Sequence, residues 1–432
     1  MFVLVISMDK SGIKELIKEG QEINVTLFER PFEDISIKRI RTIIGVRRSG
    51  KSYLQYQIMS KIKDKSQILY INFEDDRLIK TAFLFDEILD CYFEMYPENT
   101  NKKTYIFFDE IQNLDNWAKK LIRLNNTLNA DIYVTGSSSK LMSKEIYTGL
   151  RGKSFPIYWY PLSFSEFLNF KGIGKEDNAI FGKVKYKYKK LVDEYLNYGG
   201  FPEIVLEKSK KKKRELISDY IKVIIYKDII ERYNIRRADF INDLFRYLAN
   251  TTSKYFSQNK YYNSVAKEKD VAREVVYNYV NYLIDSGLLY LVPNFSFSTK
   301  KSQVNPKKPY LIDLGIYTTF GYPYSKGIDR VMENAVFLKL IRTNENIFYY
   351  NNNNYEIDFI TSNSNKINAL YQVSYDISNK ETREREISGL LNGMKEFKLN
   401  KSYLITYDSE ETMSIEKKQI FVIPLWKWLL QK

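Results

Sequence analysis

GVRRSGKS, at residues 45–52, is the stretch that decides the fold of this chain. It fits the pattern G-x-x-x-x-G-K-[ST], follows the apolar run RTIIG (41–45) and opens a helix-like stretch, YLQYQIMSKI (53–62). Glycines let the backbone wrap closely around a phosphate, and successive N–H groups and the positive end of the following helix face the anion. The alternative is an ordinary turn before a helix. The context favours a phosphate-binding loop in which Lys51 reaches the outer phosphates and the Ser52 hydroxyl ligates Mg²⁺.

A metal-nucleotide site also needs a carboxylate at the end of a nearby strand, and YIFFDE (105–110) supplies two. We predict that Asp109 holds Mg²⁺, directly or through water, and that Glu110 orients and deprotonates the attacking water. The chain contains no histidine that could act as this base. Taken alone, an apolar strand that ends in two acids is common, so the prediction depends on its pairing with the loop at 45–52.

Strands and helices alternate from about residue 41 to 160, which predicts an α/β fold with a doubly wound parallel sheet. The strand SQILYINFE (66–74) lies between the loop and the two acids. This order, with a glutamate after the aspartate, indicates the ATPase division of P-loop proteins that has an added strand and a catalytic glutamate. The next strand ends in VTGSSS (134–139). We predict Ser137 there as the sensor of the γ-phosphate, with Thr135 as the second choice and a plain polar turn as the alternative.

Composition limits the chemistry that the chain can perform. It has 432 residues and a formal net charge of +14, which is compatible with a nucleic-acid partner or with a basic, solvated surface. The single cysteine, Cys91, excludes an internal disulfide, and the absence of histidine excludes imidazole catalysis and His-ligated zinc. No apolar run is long enough to span a bilayer and the first residues lack the features of a signal peptide, so we expect a cytoplasmic protein without a membrane partner.

Four segments carry a family resemblance: GVRRSGKS, YIFFDEIQNLDNW, VTGSSSKL and LRGKSFPIYWYPLSFSEFL. In this order they resemble the prokaryotic AAA-type ATPases that are common in archaea. The resemblance implies ATP and Mg²⁺ as ligands, with Arg47 and Arg48 contacting phosphate or a neighbouring subunit. It also implies an arginine finger just before the PLSF segment, where the candidates are Arg151 and Lys153. Lys153 stands where the family usually has arginine, and a finger that acts on a neighbour would require an oligomer.

The predicted site residues fall into three sets. The catalytic set is Lys51, Glu110, Ser137 and Arg151; the nucleotide-binding set is Gly45, Arg47, Arg48, Ser49, Gly50, Lys51, Ser52 and Tyr53; the metal set is Ser52 and Asp109.

The resemblance implies four domains along the chain. They are a P-loop ATPase core of the AAA type (1–168), a helical lid (169–235), a winged helix (236–325) and a small α/β nuclease-like domain (326–432).

The winged-helix prediction is based on apolar residues at helical spacing in FINDLFRYLAN (240–250) and VAREVVYNYVNYLIDSGLLYLV (271–292). An expected hairpin follows in LLYLVPNFSFSTKK (288–301). This fold commonly places its third helix in a DNA major groove, although it contacts proteins nearly as often. Double-stranded DNA is therefore the predicted partner, with a protein as the alternative. The residues expected to meet phosphates are Lys267, Lys269, Arg273, Lys300, Lys301, Lys307 and Lys308.

The segment from about residue 326 to the end is predicted as helix, three strands, helix, strand, helix, and it resembles the restriction-endonuclease-like fold. Glu333, Asp358 and Gln372 occupy the positions of that fold's Mg²⁺ ligands. Ser374 stands where a lysine would steady the developing charge, and serine cannot supply that charge. We predict that the domain does not cleave DNA and that its use is structural or DNA-contacting.

Together these observations predict an Mg²⁺-dependent ATP hydrolase that is coupled to DNA through a winged helix. The alternatives are a DNA-binding regulator that uses ATP only as a switch ligand, and a functional nuclease.

Overall fold

The computed structural model describes most of the chain, and it divides the chain into two compact units, Met1–Tyr160 and Pro161–Lys432. The described residues are 9–33, 38–78, 84–137, 149–150, 152–174, 183–298, 302, 305–321, 327–343, 345–363 and 366–431. The four-domain division predicted above stays a prediction.

The first unit contains a sheet of five parallel strands in the order β2-β3-β4-β1-β5. The strands are β1 (Ile40–Gly45), β2 (Ile68–Asn72), β3 (Thr104–Asp109), β4 (Ala130–Ser137) and β5 (Ser154–Tyr158). The predicted parallel sheet is confirmed. Because β4 lies between β1 and β3, the loop after β1 and the acids after β3 are both at the carboxyl edge of the sheet, two strands apart.

The helices of the first unit cover both faces of this sheet. They are α1 (Lys10–Gln21), α2 (Lys51–Ser60), α3 (Leu84–Met95) and α4 (Trp117–Thr127). Along β3, Ile106 and Phe108 are buried in the cluster that includes α1, α3 and α4, whereas Phe107 is buried in the cluster that includes α2. This alternation follows from the two-residue period of a strand. It explains why β3 is largely apolar from Tyr105 to Phe108, since each of its faces is covered.

The second unit begins with helices, as its sequence predicted. Its helices are α5 (Phe164–Phe170), α6 (Lys183–Tyr198), α7 (Pro202–Leu206), α8 (Lys210–Val223), α9 (Glu231–Tyr233), α10 (Ala238–Asn250), α11 (Gln258–Tyr261), α12 (Arg273–Asp285), α13 (Leu314–Phe320), α14 (Ile328–Leu340), α15 (Lys380–Glu396) and α16 (Leu425–Leu430). Helix α5 starts at a capping box, in which Ser163 and Glu166 satisfy each other's backbone N–H groups.

The second unit also contains a mixed sheet of six strands in the order β12-β13-β11-β10-β9-β8. The strands are β8 (Asn346–Asn351), β9 (Glu356–Asn363), β10 (Lys366–Ser374), β11 (Lys401–Thr406), β12 (Glu411–Ile415) and β13 (Lys418–Pro424). The sequence predicted one strand after the second helix of this region, and the structure has three. Strands β12 and β13 are joined by Glu416 and Lys417, both with positive φ. Neither is the glycine or asparagine that usually marks such a turn, which is why the hairpin was missed.

A separate two-stranded antiparallel sheet joins β6 (Leu289–Val292) to β7 (Lys308–Leu311). The predicted hairpin placed both strands within 288–301, so the position of its second strand was wrong. The shift changes the surroundings of Lys308, which is only 3% exposed. The prediction that Lys308 meets DNA phosphates is therefore wrong, because its buried ammonium is paired with carboxylates of the chain instead. Lys300 and Lys301 lie outside the described residues.

The break between α6 and α7, in NYGGFPE (197–203), has a specific cause in the second unit. The Asp313 carboxylate accepts hydrogen bonds from the backbone N–H of Gly200 (2.6 Å) and of Gly315 (2.9 Å). A Cβ on Gly199 would lie 1.8 Å from an oxygen of this carboxylate, and Gly199 has a φ of +74°. Gly199 therefore leaves room for a buried acid with which any side chain at this position would clash. Burial raises the pKa of Asp313 to about 7.

Replacing Asp313 with asparagine is expected to remove the part of the pH dependence of the free energy of unfolding that comes from the Asp313 carboxyl group. The folded-state pKa lies above the ordinary value of 3.8, so the folded chain binds this proton more tightly than the unfolded chain. The resulting stabilisation is complete below about pH 4 and is lost as the pH rises towards 7, on the order of 2–4 kcal/mol in all. The positive charge of Arg342 acts against burial, because it favours the ionised form of Asp313 and lowers its pKa. Unfolding midpoints measured from pH 5 to pH 8 should show the wild-type advantage over Asp313→Asn shrinking, and a constant difference would contradict the prediction.

None of the helices in the described ranges is long and apolar enough to cross a membrane.

Candidate functional site

The loop at 45–52 joins the end of β1 to the start of α2, and its geometry requires both glycines. A Cβ on Gly45 would lie 2.1 Å from the carbonyl oxygen of Trp159. That contact is fixed by the Trp159 N–H, which donates to the Ile44 carbonyl at 2.7 Å. Gly50 adopts a left-handed conformation with φ 92° directly before α2, a region that side-chain-bearing residues rarely occupy. The loop therefore curls tightly, and the backbone can approach a ligand closely.

Two polar groups of this loop have unused hydrogen-bonding capacity. Lys51 is only 6% exposed, and its Nζ donates to the Val46 carbonyl at 3.3 Å. An ammonium has three donors, and this is its single hydrogen bond to the residues that the structure describes. Ser49 is fully buried, and its Oγ has no hydrogen-bond partner among those residues. Because buried polar groups are normally paired, this arrangement fits an anionic ligand at the start of α2.

Arg30 supports the loop from beneath, a role that the sequence did not indicate. Its guanidinium donates to the carbonyl of Ser49 (3.0 Å) and to that of Tyr160 (2.9 Å). The same guanidinium lies 4.1 Å from the ring centroid of Trp159. With 8% exposure, Arg30 holds the backbone of the loop to the segment after β5.

Asp109 ends β3 and is surrounded by hydroxyl groups from three elements. One carboxylate oxygen accepts from Thr135 and the other accepts from Tyr70 at 3.3 Å, and the nearby Ser52 hydroxyl lowers the pKa of the carboxyl group. Burial raises the pKa of Asp109, and the adjacent Glu110 raises it further. The structure thus brings together the two residues predicted to hold the metal, Ser52 and Asp109. Their side-by-side oxygen atoms suit a hard cation such as Mg²⁺.

Glu110 follows Asp109 in a left-handed backbone conformation, with φ 50°. For a non-glycine residue this conformation costs about 1–2 kcal/mol, and such strain clusters at functional sites. Its N–H donates to Thr135 Oγ1 at 3.1 Å, and its Oε2 accepts from Gln112. Within the described part of the chain, Oε1 has no hydrogen-bond partner. Glu110 is 9% exposed as a residue, and its carboxylate keeps one oxygen available to a water molecule.

Ser137 and Thr135 of β4 are the first and second choices for the sensor of the γ-phosphate. Thr135 is fully buried and its hydroxyl links the two acids, donating to Asp109 and accepting from the N–H of Glu110. Ser137 ends β4 and pairs in register with Gly45, which puts its backbone beside the loop. Its side chain lies outside the described residues. Thr135, the second choice, therefore makes the contacts that would position both acids.

Replacing Thr135 with valine is expected to lower the ATP turnover number roughly 10- to 100-fold while changing nucleotide affinity only a few-fold. Valine keeps the volume but removes the hydroxyl that orients both acids. Steady-state phosphate release and equilibrium nucleotide binding would be measured on the same preparations. Thr127→Val is the matched control, because the Thr127 hydroxyl bonds only to its own helix, α4. Equal turnover in the two variants would show that the link to the acids is unimportant.

The remaining residues of the nucleotide-binding set lie at the surface of the loop and helix. Arg47 forms an ion pair with Glu74 at 3.2 Å, and Arg48 is exposed. Tyr53 is 53% exposed, and its ring centroid lies 5.6 Å from that of Tyr56. These three side chains are near the loop, but they are not part of the buried cluster around Asp109.

One of the two candidate finger residues, Lys153, is not brought to the loop of its own chain. Arg151 lies outside the described residues. Lys153 precedes β5, and the register of Ile40 with Ser154 puts it at the amino edge of the sheet. The loop after Gly45 is at the opposite edge, roughly 16 Å away along a five-residue strand. The Lys153 side chain donates to Asn126.

Local sequence patterns missed three residues that shape this site. Arg30 and Tyr70 are described above, and Gln55 donates from α2 to the carbonyls of Phe108 and Tyr133, both at 3.3 Å. Each acts across the fold on a residue far away in sequence, so no spacing rule points to them.

Comparisons with known proteins agree with this geometry. A family model for an AAA domain matches residues 38–168, and models for two domains of unknown function match 189–324 (DUF8612) and 329–428 (DUF4143). The protein named "Uncharacterized protein MJ1544" from Methanocaldococcus jannaschii is 39% identical over 434 residues, which cover 96% of this chain and 93% of that protein. An uncharacterized protein of Haemophilus influenzae is 28% identical over 401 residues, covering 91% of this chain and 94% of that protein.

Solved structures give weaker similarity. The Walker-type ATPase PABY2304 of Pyrococcus abyssi has a TM-score of 0.43 at 14% identity, covering 72% of this chain and 95% of that chain. The Aeropyrum pernix ORC1 protein, solved in complex with DNA, has a TM-score of 0.31 at 11% identity, covering 72% of this chain and 90% of that chain. At these TM-scores no functional conclusion follows from either structure.

The parallel sheet, the glycine-lysine loop and the AAA-domain match define a P-loop ATPase of the AAA type. The chain belongs to the same family as the M. jannaschii protein MJ1544, with which it aligns over nearly its whole length.

Proposed function

We propose that this chain is an Mg²⁺-dependent ATP hydrolase that holds the triphosphate in the loop at 45–52. The observation that carries the proposal is the proximity of Ser52 and Lys51 to the buried Asp109 carboxylate, at the edge of the sheet where β1 and β3 end. Ser52 and Asp109 would hold Mg²⁺, and the bound ion would neutralise charge on the phosphates. The backbone N–H groups of the loop and the Lys51 ammonium would bind the phosphate oxygens.

The hydrolytic step is assigned to Glu110. Its open oxygen, Oε1, accepts a proton from the attacking water, while Gln112 holds the other oxygen in place. Thr135 keeps the two acids in a fixed relation through its bonds to both. Ser137 as γ-phosphate sensor and Arg151 as finger remain part of the proposal, and a finger acting on a neighbouring chain would make the active form an oligomer.

Coupling to double-stranded DNA is proposed for the second unit. Three helices, α10, α11 and α12, precede the antiparallel pair β6 and β7, which is the element order of a winged helix. Arg273 is exposed at the start of α12, Lys267 and Lys269 are exposed in the segment before it, and Lys269 pairs with Asp243. The net charge of +14 favours a polyanionic partner.

The experiment that tests the ATPase proposal measures steady-state phosphate release by the full chain with ATP and Mg²⁺. We expect turnover that EDTA abolishes. Tight nucleotide binding without phosphate release would instead indicate a regulator that uses ATP as a switch ligand. Absence of both binding and release would overturn the proposal.

The DNA arm repeats this assay with a duplex oligonucleotide over a range of salt concentrations. We expect the duplex to bind and to raise the ATPase rate several-fold at low salt, with both effects falling steeply as salt rises, because phosphate contacts release counterions. A rate and an affinity that do not respond to the duplex at low salt would remove DNA as the partner while leaving the ATPase assignment intact.

A further inference from the structure

A buried ion-pair cluster in the second unit has a lysine ammonium at its centre. Lys308, the first residue of β7, is 3% exposed. Its Nζ lies 3.2 Å from Oε1 of Glu333, 2.8 Å from Oε1 of Glu356 and 3.0 Å from Oδ1 of Asp358. Three carboxylates therefore surround one ammonium, and two of them, those of Glu333 and Asp358, accept hydrogen bonds from it.

The elements that contribute these side chains are far apart in sequence. Glu333 is on α14, Glu356 and Asp358 are on β9, and Lys308 comes from the separate sheet of β6 and β7. The rings of Tyr255 and Tyr349 flank the ammonium at 5.9 and 5.6 Å. The cluster therefore links the β6–β7 pair to the six-stranded sheet through one cation.

Two acids of the cluster, Asp358 and Glu333, also accept from other protein donors. The other oxygen of Asp358 accepts from the N–H of Val373 at 3.0 Å, and Glu333 Oε1 also accepts from the Tyr310 hydroxyl at 2.5 Å. A cation that approached these acids would have to displace the Lys308 ammonium.

The other predicted metal-site positions are occupied as well. Gln372 accepts from the N–H of Asp358 at 3.2 Å and donates to Glu386 at 2.6 Å. The Ser374 hydroxyl donates to the carbonyl of Asp376 at 3.1 Å. The residues that the nuclease-like resemblance assigns to Mg²⁺ therefore do not fit a metal ion as they are arranged here.

The electrostatics of the cluster keep Lys308 charged. Burial lowers the pKa of Lys308, but the charges of Glu333 and Asp358 outweigh burial and raise the pKa well above its ordinary value. An ammonium that is removed from water is stable only with such compensation, and removing one partner of a buried pair leaves an uncompensated charge.

We propose that the Lys308 ammonium occupies the cation position of this carboxylate cluster, so that the second unit uses its own side chain where the nuclease-like resemblance implies Mg²⁺. We call this cluster a latch, because its ion pairs hold β7 against α14 and β9. The cluster is not a metal centre, because Lys308 pairs with the acids that a metal ion would need. Lys308 therefore does not serve as a substitute for the catalytic lysine that the nuclease-like fold has at the position of Ser374.

The first test compares Lys308→Met with Lys307→Met in the full chain without nucleotide. Lys307 is the neighbouring lysine, and it contacts Phe256 through its backbone. Lys308→Met is expected to lower the thermal midpoint by about 5–10 °C, while Lys307→Met stays near the wild type. Mn²⁺ or Ca²⁺ should restore part of the loss in Lys308→Met and leave the wild type unchanged. An unchanged midpoint in Lys308→Met, or a loss that neither ion restores, overturns the proposal.

Two further measurements keep the proposal testable if Lys308→Met does not fold. The double variant Lys308→Met/Asp358→Asn removes a charge of each sign and should fold more stably than Lys308→Met alone; a double variant no more stable than the single one counts against the latch. The wild type incubated with supercoiled DNA and Mn²⁺ should leave the DNA intact. Cleavage that disappears in Asp358→Asn would show that the acids bind metal in the wild type and would refute the proposal.

These outcomes are separable from those of the ATPase proposal. Stability and ion response without nucleotide report on the cluster, whereas phosphate release reports on the loop at 45–52. A chain without ATPase activity could still carry the latch, and an active ATPase could still lack it.

Discussion

Lys51→Ala is expected to abolish detectable ATP binding and to lower phosphate release by roughly 1,000-fold or more. The ammonium is buried at the start of α2, and its single described hydrogen bond is to the Val46 carbonyl. It therefore has donors available for the outer phosphates, and no other lysine lies in the loop at 45–52. Nucleotide binding by calorimetry and phosphate release in steady state would both be measured.

Lys61→Ala is the matched control for this experiment. Lys61 is the C-cap of the same helix, α2, and it is exposed. We expect it to bind and turn over ATP like the wild type. Thermal midpoints of both variants within a few degrees of the wild type would show that the loss in Lys51→Ala comes from the missing ammonium. Nucleotide affinity preserved in Lys51→Ala would mean that the loop does not hold the triphosphate.

Glu110→Gln is expected to keep ATP affinity within about threefold of the wild type and to slow turnover by roughly 100- to 10,000-fold. Glutamine has the same shape and can keep the backbone contact with Thr135, but it cannot accept a proton from water. The open oxygen of Glu110 is the feature that the substitution removes. Because binding persists, the variant should accumulate a stable ATP complex, which rapid separation of bound nucleotide would detect.

Glu98→Gln makes the same chemical change at an exposed position in the short helix after α3. It should behave as the wild type in both assays. If Glu110→Gln turns ATP over at the wild-type rate, Glu110 is not the base, and the strained backbone at this position needs another explanation. If it fails to bind ATP, its charge serves the nucleotide site itself rather than the attacking water.

The fold of the first unit was largely predictable because its signals are local. Each strand is a short apolar run that ends in a polar turn, and both faces of the parallel sheet are covered, so the runs are nearly continuous. The predicted strand segments RTIIG (41–45), SQILYINFE (66–74) and YIFFDE (105–110) each overlap a strand of the observed sheet. The positions of the loop and the two acids at one edge followed from the parallel direction of those strands.

The candidate site was only partly predictable. The proximity of Ser52 to Asp109 followed from the motif order, but the hydroxyl of Thr135 became a link between the two acids only through the packing of β4 beside β3. Arg30 beneath the loop and Tyr70 against Asp109 had no local signal, since a hydrogen bond across the fold leaves no periodicity in the sequence.

The second unit shows where local inference failed. The turn between β12 and β13 is made by Glu416 and Lys417, so the usual residue signature of a hairpin is missing. Lys308 looked like a phosphate-binding surface lysine because it follows other lysines. It became a buried cation only when β7 paired with β6 and brought it against α14 and β9.

The sequence by itself determined the class of this protein and the identity of its nucleotide loop, because a phosphate cradle requires particular residues at adjacent positions and a parallel strand requires an apolar run. Only the tertiary structure decided which side chains support the acids, and which cation the carboxylates of the second unit hold. These are contacts between elements separated by tens of residues, and their energies depend on burial and distance, which no short stretch of sequence contains.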